Sequence, residues 1–153
     1  MATPRIDYNT AFPQGVAALV ALGHTVNTAG LEAPLLELVR LRASQMNGCS
    51  FCIDMHSKDA IAAGETTQRL FTLSAWHETP FFTPRERAAL AWTEALTDIQ
   101  NGHAPDAVYD AARANFSDAE LVQLTLAITT INVWNRIAIA FRPRVGHYRA
   151  PAA

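Results

Sequence analysis

Two cysteines and a histidine share one short stretch, Gly48-Cys49-Ser50-Phe51-Cys52-Ile53-Asp54-Met55-His56. On a helix, cysteines at i and i+3 bring their side chains to about 5–6 Å, which a disulfide can bridge with some adjustment of the first turn. Both thiols would sit at a helix start, where unpaired backbone N–H groups and the macrodipole favour a thiolate. His56 lies four residues beyond Cys52 and seven beyond Cys49, rises of about 6 and about 10.5 Å along one face. It can take a proton from Cys52 directly or through one water. The chemistry this predicts is redox. A Cys52 thiolate takes an oxygen from a peroxide and becomes a sulfenic acid, which Cys49 resolves to a disulfide. An outside dithiol must then restore the pair. The opposite order, with Cys49 attacking, stays open because Cys49 is nearer the helix end.

Three other readings compete. The cysteines can be small buried hydrophobes, although His56 on the same face argues for chemistry. Cys, Cys and His are also zinc ligands, but on one short helix Cys49 and His56 stand too far apart to share a tetrahedral ion easily. A thioredoxin-like protein would need strands in a βαβ pattern, and no run of alternating β-branched residues is present.

The elements that must position these groups read as helices throughout. Pro13 to about Asn27 forms the first, and Pro34 suits the first turn of a second that ends at Asn47-Gly48. A third covers about Cys49 to Ala63, stopping at Gly64, and a fourth about Thr67 to Trp76. Thr83-Pro84-Arg85-Glu86 is a capping box for a helix to about Asn101, and Pro105 opens a shorter one to about Asn115. Ser117-Asp118-Ala119-Glu120 is a second box, before a long helix ending ahead of Pro143. The expected fold is all-α, a helical bundle of six to seven helices in one domain over residues 1–153, with its core at about 30–141.

At 153 residues the chain can bury a sizeable core without a disulfide or metal staple. Its 12 basic and 14 acidic side chains form no basic run, which argues against nucleic acid as a partner. The first residues lack a signal-peptide pattern. Leu121 to Phe141 is of membrane length, but Gln123, Asn132, Asn135 and Arg136 interrupt it, so it reads as a buried helix and no membrane partner is expected. A cytoplasmic location is expected, where a close cysteine pair suggests redox or metal chemistry rather than a scaffold. Only 17% of residues are charged, and the last helix carries apolar residues all round, which predicts a homo-oligomer that covers it. The polar set Asn132, Trp134, Asn135 and Arg136 needs partners that a subunit interface or the wall of the active cavity would supply, and the interface is favoured. Arg40 and Arg42 are expected near Glu37 or against acidic residues of a neighbour. His24, His77, His103 and His147 read as solvated.

The Cys-x-x-Cys-x-x-x-His segment, with Glu37 twelve residues before Cys49, resembles the AhpD-like alkylhydroperoxidases of the carboxymuconolactone decarboxylase superfamily. The likeness extends through Leu36 to Gly48, Asp54 to Ala60, Phe82 to Leu90 and Asn132 to Arg136. It implies an all-helical fold, trimers or hexamers, and reduction of hydroperoxides through the two thiols without a cofactor or metal. It also implies a dithiol reductant, a lipoyl or thioredoxin-like protein. Carried over by position, Glu37 and His56 are the proton relay, Cys52 the peroxidatic cysteine and Cys49 the resolving one. Without the resemblance, Glu37 reads as a surface or helix-pairing carboxylate. The peroxidases carry a histidine just before the second cysteine, where this chain has Phe51. Phenylalanine cannot shuttle a proton, which bears on turnover; it can shield the disulfide, favour an apolar peroxide or simply pack. The alternatives to a peroxidase are a decarboxylase-like lyase of the same superfamily and a non-catalytic redox or metal-binding protein.

Overall fold

Residues 3–151 are described by a computed structural model. They form eight α-helices: α1 (Tyr8–Ala11), α2 (Pro13–Asn27), α3 (Ala33–Asn47), α4 (Ser50–Ala62), α5 (Thr67–Thr72), α6 (Pro84–Thr97), α7 (Asp106–Arg113) and α8 (Asp118–Phe141). A 3-10 segment, Leu73–Glu78, follows α5. The all-α expectation holds, with no strand among the described residues.

Most boundaries follow local chemistry. Both capping boxes form: Thr83 and Ser117 accept from the backbone N–H groups of Glu86 and Glu120, whose carboxylates return to the cap N–H groups. Gly48 ends α3 in the left-handed region, at φ 67°, where a β-carbon would be strained. That turn delivers Cys49 directly to the start of α4.

Three boundaries differ from expectation. The short α1 is new, capped by the Asp7 carboxylate on the Asn9 N–H. The expected fourth helix is α-helical only to Thr72 and continues as the 3-10 segment, which kinks at Ala75, where φ is −117°. The helix expected to reach Asn101 stops at Thr97, because Asp98 and Asn101 turn the chain with their own hydrogen bonds.

The central helix is α3, packed against α4, α6 and α8. Leu35, Leu36, Leu38, Val39, Leu41, Ala43 and Ser44 are all buried, so α3 is covered on nearly every side. It joins three apolar clusters. Leu36 and Val39 meet Trp92, Leu124 and Ile128 in one. Leu38 and Leu41 meet Leu73, Trp76 and Leu90 in another. Ala43 meets Cys49, Cys52, Ile131 and Ala138 in the third. Truncating a leucine in such a position typically costs about 2–5 kcal/mol.

Within one chain α8 is not covered all round. It is long and apolar enough to cross a membrane by length and composition, yet it lays one face on the bundle and leaves Val122, Leu126 and Ile139 exposed. Its buried amides also find partners inside the chain rather than across an interface. Asn47 Nδ2 donates to the side-chain oxygens of Asn132 (2.9 Å) and Asn135 (2.8 Å). Asn132 donates to Thr97 Oγ1 and Asn135 to Ser44 Oγ, each at 3.0 Å. This network ties α8 to the end of α3, one turn from Cys49.

Candidate active site

Cys49 is the N-cap of α4, not a residue of its first turn, and its Sγ accepts the Cys52 N–H at 3.3 Å. That cap geometry sets the two Cα atoms 5.4 Å apart, and the sulfurs are joined as a disulfide, within the usual span for such a bridge. Ala43, Ile131 and Ala138 pack around it with Phe51 and Trp134 at its sides, and both cysteines are buried.

Two helical turns of α4 carry His56 to the floor of a cavity of about 430 Å³. Cys52, Glu37, Arg40 and Asp59 line the same cavity, with Tyr8, Ile131 and Trp134 as its apolar wall. Glu37 reaches it from α3. Its Oε2 lies 2.8 Å from His56 Nδ1, and its Oε1 accepts Arg40 Nη1 at 2.6 Å. Arg40 is itself held by Asn27 Oδ1 at the end of α2.

The charge state of Glu37 follows from these contacts. Burial pushes its carboxyl up, but the hydrogen bonds and charges of His56 and Arg40 outweigh that and hold it below the ordinary range. An ionised carboxylate only accepts hydrogen bonds. His56 Nδ1 therefore carries the proton facing Glu37, and in the neutral ring Nε2 keeps the lone pair. Glu37 acts on the site through His56, as a positioning group.

Glu37, Cys52 and His56 thus meet in one cavity, with Cys49 joined to Cys52 behind them. Three neighbours were not singled out in the sequence. Asp59, one turn beyond His56, places a carboxylate oxygen within 4.8 Å of the ligand atoms of Glu37 and His56; its i+3 spacing was the available signal. Tyr148 donates to Asp59 Oδ1 at 2.7 Å. Burial and the nearby Asp59 and Glu37 charges push its phenol up to about 12. Tyr8, near Trp134 with ring centroids 6.4 Å apart, comes from the short α1. Neither tyrosine had a local signal, since both arrive from chain ends folded back over the bundle. Arg5 pins one end, donating from its N–H to Phe141 O. Lys58 donates to Tyr148 O on the other.

Elsewhere, Arg42 pairs not with Glu37 but with Glu94, which also accepts from Trp76 Nε1 and contacts His77. That cluster braces α6 against α3.

The fold and the cysteine–histidine constellation define an AhpD-like helical protein. The sequence model of the carboxymuconolactone decarboxylase family matches residues 13–95, and the chain belongs to that family. It is 40% identical over 140 residues to the uncharacterized protein YdfG of Bacillus subtilis (strain 168), covering 92% of this chain and 95% of that one. A crystal structure of an Agrobacterium tumefaciens protein of unknown function, described as a candidate antioxidant defence protein AhpD, superposes with a TM-score of 0.92. It is 43% identical, over 95% of this chain and 100% of that one. An uncharacterized peroxidase-related protein from Ralstonia eutropha JMP134, with an AhpD core, shares the fold at a TM-score of 0.74. Its identity is 19%, over 89% of this chain and 74% of that one.

Proposed function

We propose that this protein is a thiol-dependent peroxidase that reduces hydroperoxides. The observation that carries the reading is the Glu37–His56 pair at 2.8 Å, lining the same cavity as Cys52. In the reduced protein, His56 Nε2 takes the Cys52 proton while Glu37 stabilises the imidazolium that forms. The Cys52 thiolate attacks the distal oxygen of the hydroperoxide. The O–O bond breaks, the alkoxide takes a proton from His56 and leaves as an alcohol, and Cys52 becomes a sulfenic acid. Cys49 then attacks the Cys52 sulfur, water departs, and the disulfide seen here is formed. A dithiol returns two electrons and two protons to close the cycle.

Two features support Cys52 over Cys49 as the attacking residue. His56 shares a cavity with Cys52, and Cys49 is committed to capping α4. Tyr8, Ile131 and Trp134 make the cavity wall apolar, which suits an organic hydroperoxide better than hydrogen peroxide. Arg40 already neutralises Glu37, so the Glu37–His56–Asp59 group reads as proton-handling rather than as a cation site.

The exposed Val122, Leu126 and Ile139 on α8 support a homo-oligomer, trimer or hexamer, in which this face is covered. A cycle that needs continual reduction by a dithiol suits the cytoplasm.

The deciding measurement is hydroperoxide consumption with a dithiol by the wild type and by Cys52→Ser. Turnover in the wild type and none in the variant is expected, whereas equal rates overturn the reading. A decarboxylase-like lyase would retain its activity after both cysteines are replaced.

A further inference from the structure

The two cysteines of the disulfide line different cavities. Cys52 lines the cavity that holds Glu37 and His56. Cys49 lines a second one, of about 670 Å³, formed by the start of α4, the end of α8 and the segment after it. Phe51 and Ala138 line both, so these two residues stand in the wall between them. The second cavity differs in charge from the first. Arg142, Arg144 and His147 line it, and no carboxylate does so among the described residues. Neither guanidinium makes an ion pair among those residues. The N-terminus of α4 adds positive potential at the same mouth. The volume is that of a small-molecule site.

We propose that the reductant does not enter the peroxide cavity but uses this second, cationic one, attacks Cys49, and is a small dithiol bearing a carboxylate. The proposal rests on the peroxidase reading for its place in the cycle, although reduction of the disulfide can be measured without any peroxide. Displacement at sulfur requires the nucleophile to approach opposite the leaving sulfur, so a thiolate arriving from the Cys49 side expels Cys52 into the cavity that holds His56. The attacking thiol first loses its proton to solvent; the S–S bond then breaks, its electron pair stays on the Cys52 sulfur as a thiolate, and a proton taken up from solvent at His56 Nε2 is passed to it. A mixed disulfide links the reductant to Cys49. The reductant's second thiol loses its proton and attacks its own bridged sulfur, and Cys49 leaves as a thiolate that solvent protonates. The dithiol is oxidised to a cyclic disulfide by two electrons, and the protein is reduced by two. Separate approaches for oxidant and reductant keep the sulfenic acid away from the incoming dithiol, with Phe51 and Ala138 in the wall between them.

The test compares dihydrolipoate with dihydrolipoamide as reductants of the oxidised protein, without peroxide, by thiol titration against time. The two have the same dithiol, with a distant carboxylate replaced by an uncharged amide. A carboxylate drawn to two free guanidinium groups raises the rate by about 10-fold or more at low salt, and this advantage shrinks at high salt. In the double variant Arg142→Asn, Arg144→Gln, the ratio of the two rates falls toward one. Asparagine is chosen because residue 142 has a φ of 56°, which asparagine tolerates. A ratio near one in the wild type, or a ratio unchanged in the variant, overturns the cationic route. A second measurement locates the attack. Glutathione, a monothiol, is added to the oxidised protein, the freed cysteine is alkylated at once, and the peptides are mapped by mass. Glutathione on Cys49 with the alkyl group on Cys52 is expected. The reverse pattern overturns attack at Cys49.

Discussion

Glu37 Oε2 and His56 Nδ1 are 2.8 Å apart, although they belong to different helices and stand nineteen residues apart in the chain. Glu37→Gln keeps the shape but removes the charge that fixes the His56 tautomer and stabilises its imidazolium. Oxidation of the reduced protein by an organic hydroperoxide should slow by about 10–100-fold, the size of loss seen when the carboxylate partner of a metal-bound histidine is removed. Stopped-flow kinetics across pH checks it. A purely structural role for Glu37 would lower stability while leaving the pH profile of the rate unchanged.

The acid limb of stability follows from the same kind of contact. Glu37, Glu86 and Glu94 are each pushed up by burial but held lower on balance by hydrogen bonds and charges, from His56 and Arg40, from Arg69, and from Trp76, Arg42 and His77 respectively. Glu120 is lowered to about 2 by the Ser117 cap and Arg85. A depressed folded-state value means the unfolded chain binds more protons in the interval, so stability rises with pH there. It should be fully present above the ordinary glutamate value of 4.5 and fall as pH drops toward about 2. Urea unfolding at a series of acid pH values measures it, and Glu94→Gln should flatten the slope.

Asn135 is fully buried and links Asn47 to Ser44. Asn135→Ala leaves the buried Ser44 hydroxyl without its amide donor and takes away one of the acceptors of Asn47 Nδ2. A loss of about 1–3 kcal/mol is expected, read by denaturant midpoint. Because the network holds the end of α3 beside Cys49, the variant should also re-form its disulfide more slowly after reduction, in a thiol-loss assay.

On α8 the buried and exposed faces should behave oppositely. Ile128→Ala removes a core side chain and should cost about 2–5 kcal/mol. Leu126→Glu, on the exposed face, should change monomer stability by no more than about 0.5 kcal/mol. It should nonetheless reduce the mass measured by light scattering to that of one chain. A wild-type mass already equal to one chain would remove the oligomer.

The helix boundaries were largely legible because they depend on residues a few positions apart. Thr83 with Glu86, Ser117 with Glu120, and Gly48 after Asn47 act within one turn, so their chemistry is visible in the chain. The exceptions are equally physical. The helix before Asn101 stopped early because Asp98 and Asn101 compete for the backbone, and α1 is too short for any periodicity to show. Which face of α8 the rest of the chain covers was not legible, because an apolar circumference says that cover is wanted and not where it comes from.

By itself, the sequence determined the helical class and the Cys49–Cys52–His56 spacing, since both arise from the geometry of a single helix. The resemblance added Glu37. The tertiary structure decided which helix is central, set Glu37 against His56, and turned Arg42 away to Glu94. It also brought Tyr8 and the two arginines after α8 to the cavities on either side of the disulfide, and Tyr148 to Asp59. Those relations depend on how separate helices pack and where the chain ends fold back, and no local spacing encodes them.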